Sequence, residues 1–289
     1  MRSLLWIAII ALACALAVIP LVAGRLRRWG LTRRNWRGER VLTGMGVALV
    51  LSLGATVLLC DLFDISGFDA PVAWRHFWVV LLFCAIGLVD DILGDRSVVG
   101  VAAHFRKLVQ ERRITGGVFQ VVAGAALCVV VGLHLSEGEV WPGLVNAALL
   151  GLCANLVNMF DIRPGRALKV FWAMMLAGLL VASTPLRLAV VPLILASAAF
   201  FQADARGRAM LGDAGALALG ASGGLLLIDG IESASLKFLL VLVLAGFSVL
   251  AEYRSVSGII ETNPFLAYLD KLGLPSEEGE EGTTGAPAG

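Results

Sequence analysis

Charge is scarce in this chain: 16% of its 289 residues are Asp, Glu, Lys or Arg, 58% are hydrophobic, and mean hydropathy is +0.87. A water-soluble domain could not carry that composition without exposing apolar surface, so the sequence reads as a polytopic membrane protein. Histidine is scarcer still, with three in the whole chain, which argues against a histidine metal centre and makes His104 an interfacial polar residue. The five cysteines, Cys14, Cys60, Cys84, Cys128 and Cys153, show no CxxC or Cys/His spacing. They imply neither a disulfide framework nor a thiolate metal site and read as small buried hydrophobes. Internal repeats and soluble domains are also lacking. The formal net charge of +1 carries no information about partners, because the placement of the charges matters and their sum does not.

Apolar runs near the spanning length of roughly 17 to 25 residues fall at 3–23, 41–60, 75–89, 116–133, 141–158, 168–183, 186–201, 214–230 and 235–253. The fold expected is an all-α helical bundle of about nine transmembrane helices. Met1–Gly24 lacks a small-residue cleavage site after its apolar run and precedes a basic loop, so it reads as a retained first span. The alternate loops 24–40, 90–115, 159–169, 202–213 and the tail from Arg254 hold nineteen of the 23 basic residues; Arg2, Arg75, Arg187 and Lys237 lie on the other side. The positive-inside rule then puts the N-terminus outside and the C-terminus in the cytoplasm. Residues 1–274 read as one membrane-embedded domain and 275–289, rich in Glu, Gly, Thr and Pro, as a disordered cytoplasmic tail.

The inward loops hold the candidate chemistry. The third run ends in Asp90-Asp91, adjacent acids that repel each other and that a hard divalent cation such as Mg²⁺ would relieve; a charged stop at a membrane boundary is the simpler alternative. Asn155, Asn158 and Asp161 recur every three positions, one polar stripe on a helix, suited to binding or to bridging neighbouring helices. Arg163 and Arg166 flank the helix-breaking Pro164-Gly165, as anion ligands or as ordinary positive-inside charges. Asp213 stands between small residues at the opening of the eighth run, as a functional acid or an N-cap. The basic residues of 100–117 follow the acid pair closely, as a phosphate site beside a metal would require.

In this order, Asp90-Asp91, the glycine-then-basic loop, Asn155-Leu-Val-Asn158-Met-Phe-Asp161 and Gly212-Asp213-Ala-Gly215 resemble the polyprenyl-phosphate N-acetylhexosamine-1-phosphate transferase superfamily, the MraY-like and WecA-like membrane enzymes. The resemblance covers roughly residues 35–260. It implies a cytoplasm-facing cleft in the cell membrane, where a polyprenyl phosphate attacks the β-phosphorus of a UDP-sugar and releases UMP, initiating cell-envelope glycan synthesis. By motif position, Asp213 would be the principal Mg²⁺ ligand with Asp91 assisting, Asp90 would deprotonate or orient the lipid phosphate, and Arg106 would stand where relatives carry a lysine. Asn155, Asn158, Asp161, Arg163 and Arg166 would line the nucleotide-sugar side. Membrane lipids are the surrounding partners, a homodimer is compatible with the reading, and nucleic acid is not an expected partner.

The chain departs from the family in four places. Pro164 stands where the second acid of an Asp-Gly-x-Asp turn is usual, Ala216 replaces a serine, Glu252–Asn263 contains none of the histidines of the MraY-type loop, and Pro264–Leu274 is too short to cross a membrane. Without the second acid, the donor is expected to be held more through its phosphates than through its base. A weakened relative acting as a membrane interaction or regulatory subunit is the alternative function. A transporter fits less well, since its acids would lie near the bilayer midplane.

Overall fold

The computed structural model describes residues 2–35, 37–93, 116–254 and 256–274. The expectations for His104, Arg106 and the 275–289 tail lie outside these residues. Among the described residues nine long helices coincide with the nine apolar runs: α1 (Arg2–Arg28), α2 (Gly46–Leu62), α3 (Ala70–Leu93), α4 (Gly116–Leu135), α5 (Val140–Phe160), α6 (Arg166–Val181), α7 (Thr184–Ala205), α8 (Gly212–Gly230) and α9 (Ala234–Tyr253). Six of them, α1, α3, α4, α5, α7 and α9, are long and apolar enough to cross a membrane; α2 is apolar but shorter. The protein is therefore an all-α, multi-pass helical membrane protein.

Two short helices follow, α10 (Val256–Thr262) and α11 (Pro264–Lys271). The start of α11 has a local cause. Pro264 pre-sets the first turn, and the Asn263 side chain accepts from the amides of Phe265 and Leu266 at 3.0 and 3.2 Å, satisfying donors that have no helical partner.

At the centre stands α8, buried without interruption from Ala214 to Leu226 and packed chiefly on α3 and α5, with α6, α2 and α7 around them. Lipid is as apolar as leucine, so such packing depends on close backbone approach at small residues. Gly87 of α3 is the decisive case: a Cβ there would collide with the Asp213 carbonyl at the start of α8. Its missing side chain brings the last turn of α3 against the first turn of α8. At the other extreme, α9 buries none of its described residues and rests against α5.

One element was not anticipated. The 24–40 segment forms a small antiparallel hairpin, β1 (Thr32–Arg34) with β2 (Arg40–Leu42), in which Thr32 faces Leu42 and Arg34 faces Arg40. It is stitched to the approach of α8, because the Met210 amide donates to the Leu42 carbonyl at 2.7 Å and the Gly46 amide to the Leu211 carbonyl at 3.0 Å.

A candidate site of carboxylates at the start of helix α8

The opening turn of α8 exposes backbone N–H groups that no helical carbonyl can satisfy, and the helix dipole makes that end a place for anions. Three acids from the ends of three other helices fill it. Asp91, in the last turn of α3, accepts from the Asp213 amide through Oδ1 (3.3 Å) and from the Ala214 amide through Oδ2 (3.1 Å). Asp161, just past α5, takes a backbone hydrogen bond from Gly212. Asp204, at the end of α7, takes one from Leu211 and another from Gly165 at 2.7 Å. Gly212 must be glycine for this to work: its φ is +75°, and a Cβ would be driven into the Asp91 carboxylate.

The residue before the helix, Leu211, supplies no side-chain cap, and Asp213 lies within the first turn. Its carboxylate faces away and meets the Asp90 side chain in a hydrogen bond. The Asp213 carboxyl is thus enclosed beside the acidic side chains of Asp90 and Asp91. The Asp161 carboxyl is raised well above the usual carboxylate range, first by burial and then by Asp204, Asp213 and Asp91. Five acids thus share one end of the bundle.

Among the described residues, a cation of the chain's own is in contact with them. Arg33, from β1, lies 2.9 Å from Asp91 and 3.8 Å from Asp213, and donates to the Asp90 carbonyl at 3.0 Å. Its side chain is 13% exposed and that of Asp91 is 0% exposed, a shielded pair in which each charge depends on the other. Sequence reasoning missed Arg33, which was one of seven arginines in a basic loop with nothing in its spacing to single it out. It missed Asp204 as well, although an acid three residues beyond an apolar run was a visible signal.

The remaining candidates divide. Asn158 is half-buried, and its Oδ1 has no hydrogen-bond partner among the described residues. Asn155 is exposed and donates to Ser248 of α9 at 3.3 Å, the helix-bridging role. Arg166 is buried, with its guanidinium fork on Asp270 of α11 (2.6 and 2.8 Å) and Ser257 of α10 (2.8 Å). Arg163 is half-exposed, 3.9 Å from Glu261. Beside these arginines a cavity of about 210 Å³ opens, with Arg37 and Lys271 also in its wall. A second, apolar groove of about 440 Å³ runs between α4 and α5, backed by Phe83 of α3 and Leu217 of α8, with Cys128 and Asn155 in its wall.

Among the described residues no group of three or more His, Cys, Asp or Glu side chains is arranged to hold a metal ion. Asp91 has its oxygens engaged by Arg33 and two amides. Asp213 and Asp90 retain lone pairs, and Mg²⁺ is commonly held by one or two carboxylates completed by water and substrate phosphate. The chemistry of that pair fits such an ion. Comparison with protein-family models and with curated proteins finds no match.

Proposed function

We propose that the chain transfers a sugar-1-phosphate from a nucleotide sugar, in the first place a UDP-N-acetylhexosamine, to a polyprenyl phosphate at the cytoplasmic membrane face. The observation that carries this reading is the meeting of Asp90, Asp91, Asp161 and Asp213, distant in sequence, at one end of the bundle beside an arginine-walled cavity and an apolar groove. The groove suits an isoprenoid tail and the basic cavity a pyrophosphate.

The same reading takes the chain to cross the membrane nine times with its N-terminus outside. The hairpin bearing Arg33 and the helix ends at Asp91, Asp161, Arg166 and Asp213 then share the basic, cytoplasmic side, and Arg75, Arg187 and Lys237 lie near the starts of helices on the other.

In the reaction, a lipid phosphate oxygen attacks the donor's β-phosphorus. The bond from that phosphorus to the α,β-bridging oxygen breaks, and nucleoside monophosphate leaves with the electron pair. Mg²⁺ held by Asp213 and Asp90 would supply charge neutralisation for the pyrophosphate. Asp90 would also accept a hydrogen bond or proton from the lipid phosphate and aim it. Asp91 serves as the cap that fixes the start of α8, and Arg33 holds Asp91 in place while facing the incoming phosphates through its contact with Asp213.

A second reading has its own support. Arg33 and Arg166 are already paired with acids of the chain, as in a relative that has given up catalysis for an interaction or regulatory role. Exchange of labelled UMP into UDP-sugar, with purified protein, undecaprenyl phosphate and Mg²⁺, separates the two. Transfer predicts exchange that EDTA abolishes; absence of exchange with every UDP-sugar supports the second reading.

A further inference from the structure

At the opposite end of the bundle lies a cavity of about 460 Å³, within the range of small-molecule sites. Its deep part contains two polar side chains that are almost wholly buried, His76 of α3 (2% exposed) and Asn146 of α5 (3% exposed). Each has one atom engaged. His76 Nε2 is 2.9 Å from the Ser222 hydroxyl of α8, and Asn146 Nδ2 donates to the Ser136 hydroxyl at 2.8 Å. Each also has one atom with no hydrogen-bond partner among the described residues, His76 Nδ1 and Asn146 Oδ1. Buried polar atoms are nearly always paired, so two orphans lining one cavity point to something that completes them.

The lining defines what that is. Arg75 and Lys237 face Glu137 and Asp229 in the lining, with His134 beside them, so no single sign of charge dominates to attract a strong anion or cation. The walls between rim and floor are Val79, Val131 and Leu225, suited to the C–H faces of a ring. Asn146 Oδ1 accepts only, and His76 Nδ1 donates or accepts according to its tautomer. A hydroxyl group, both donor and acceptor, satisfies either arrangement.

We propose that this cavity binds a small, neutral, polyhydroxylated ligand of the sugar type, either free in the aqueous phase or as the glycosyl headgroup of a membrane lipid. It lies across the bundle from the carboxylate cluster and does not depend on the function proposed for that cluster.

The test uses the full-length protein in nanodiscs. Methyl β-glucoside is titrated as the soluble probe and monoglucosyl diacylglycerol as a component of the disc lipid, with saturation-transfer NMR and amide hydrogen exchange as readouts. Saturable binding of one probe is expected, with slowed exchange at the α3 and α5 turns that carry His76 and Asn146. Which probe binds decides between free sugar and lipid headgroup. Asn146→Leu, which keeps the branching and heavy-atom count while removing both polar atoms, should weaken binding about tenfold or more. If Asn146→Leu does not fold, the rim variant Val130→Trp, which narrows the mouth, should block binding without touching the buried polar pair. No saturable binding of either probe to the wild-type protein would mean that only water completes His76 and Asn146, and would overturn the proposal. Unchanged affinity in folded Asn146→Leu would overturn it as well.

Discussion

The Asp91 carboxylate accepts a hydrogen bond from the Ala214 amide, 123 positions later in the chain. It is the structural cap of α8, whereas Asp213, which belongs to that helix, points its own carboxylate elsewhere. Two adjacent-looking acids therefore have different jobs. Asp91→Asn keeps an acceptor for the helix amides but leaves the Arg33 guanidinium without its partner, and should destabilise the protein in detergent by about 3–5 kcal/mol, the cost of breaking a shielded pair from one side. Asp213→Asn should leave thermal stability unchanged or raised while abolishing Mg²⁺-dependent UMP exchange. Retained exchange in Asp213→Asn would remove that residue from the metal assignment.

Arg33→Ala leaves Asp91 buried without its cation, and breaking a buried pair from one side costs about 3–5 kcal/mol. The double variant Arg33→Ala/Asp91→Asn should recover much of that loss. Chemical unfolding in one detergent, across wild type, both singles and the double, measures the coupling. Additive losses would show that the 2.9 Å contact contributes nothing.

Asp161 gives a pH dependence whose sign is fixed. Its carboxyl is raised in the folded protein, so the folded state holds that proton more tightly than the unfolded state does. The stability it contributes is full below the ordinary Asp value of about 3.9 and is lost as pH rises through the raised one. Thermal midpoints in EDTA at pH 4.5 and pH 7.5 should fall with pH for wild type. The fall should be shallower for Asp161→Asn, and an equal slope would contradict the raised carboxyl of that acid.

Asp270→Ala should release α11 from Arg166. Amide exchange across 264–271 should rise well above that of α8. If Arg166 then becomes available to phosphate, the donor's KM falls in the same variant; a KM that stays put confines Arg166 to its structural role.

The helical runs were legible from the sequence because an apolar stretch of spanning length has few alternatives, and each of the nine produced a helix. The carboxylate cluster was legible in part. Asp90, Asp91, Asp161 and Asp213 stand out as acids at the ends of apolar runs, and that position lets them reach a helix N-terminus. Their division into caps and an uncommitted pair was not legible, since it depends on Gly87 admitting the Asp213 carbonyl and on the φ of Gly212. Both are facts of approach between segments more than a hundred residues apart. Arg33 and Arg166 were indistinguishable from other loop arginines until the hairpin and α11 were seen to place them.

The hairpin that carries Arg33 also sets an order of assembly. Arg33 leaves the ribosome 57 residues ahead of Asp90, and Asp91 precedes Asp213 by 122. When the acid-bearing end of α3 reaches the membrane its counter-charge has already been made, so those acids need not wait unpaired at the lipid boundary for the central helix. The most deeply enclosed helix, α8, then enters a nest whose electrostatics were settled beforehand, and its glycine-rich face needs only to find the gap.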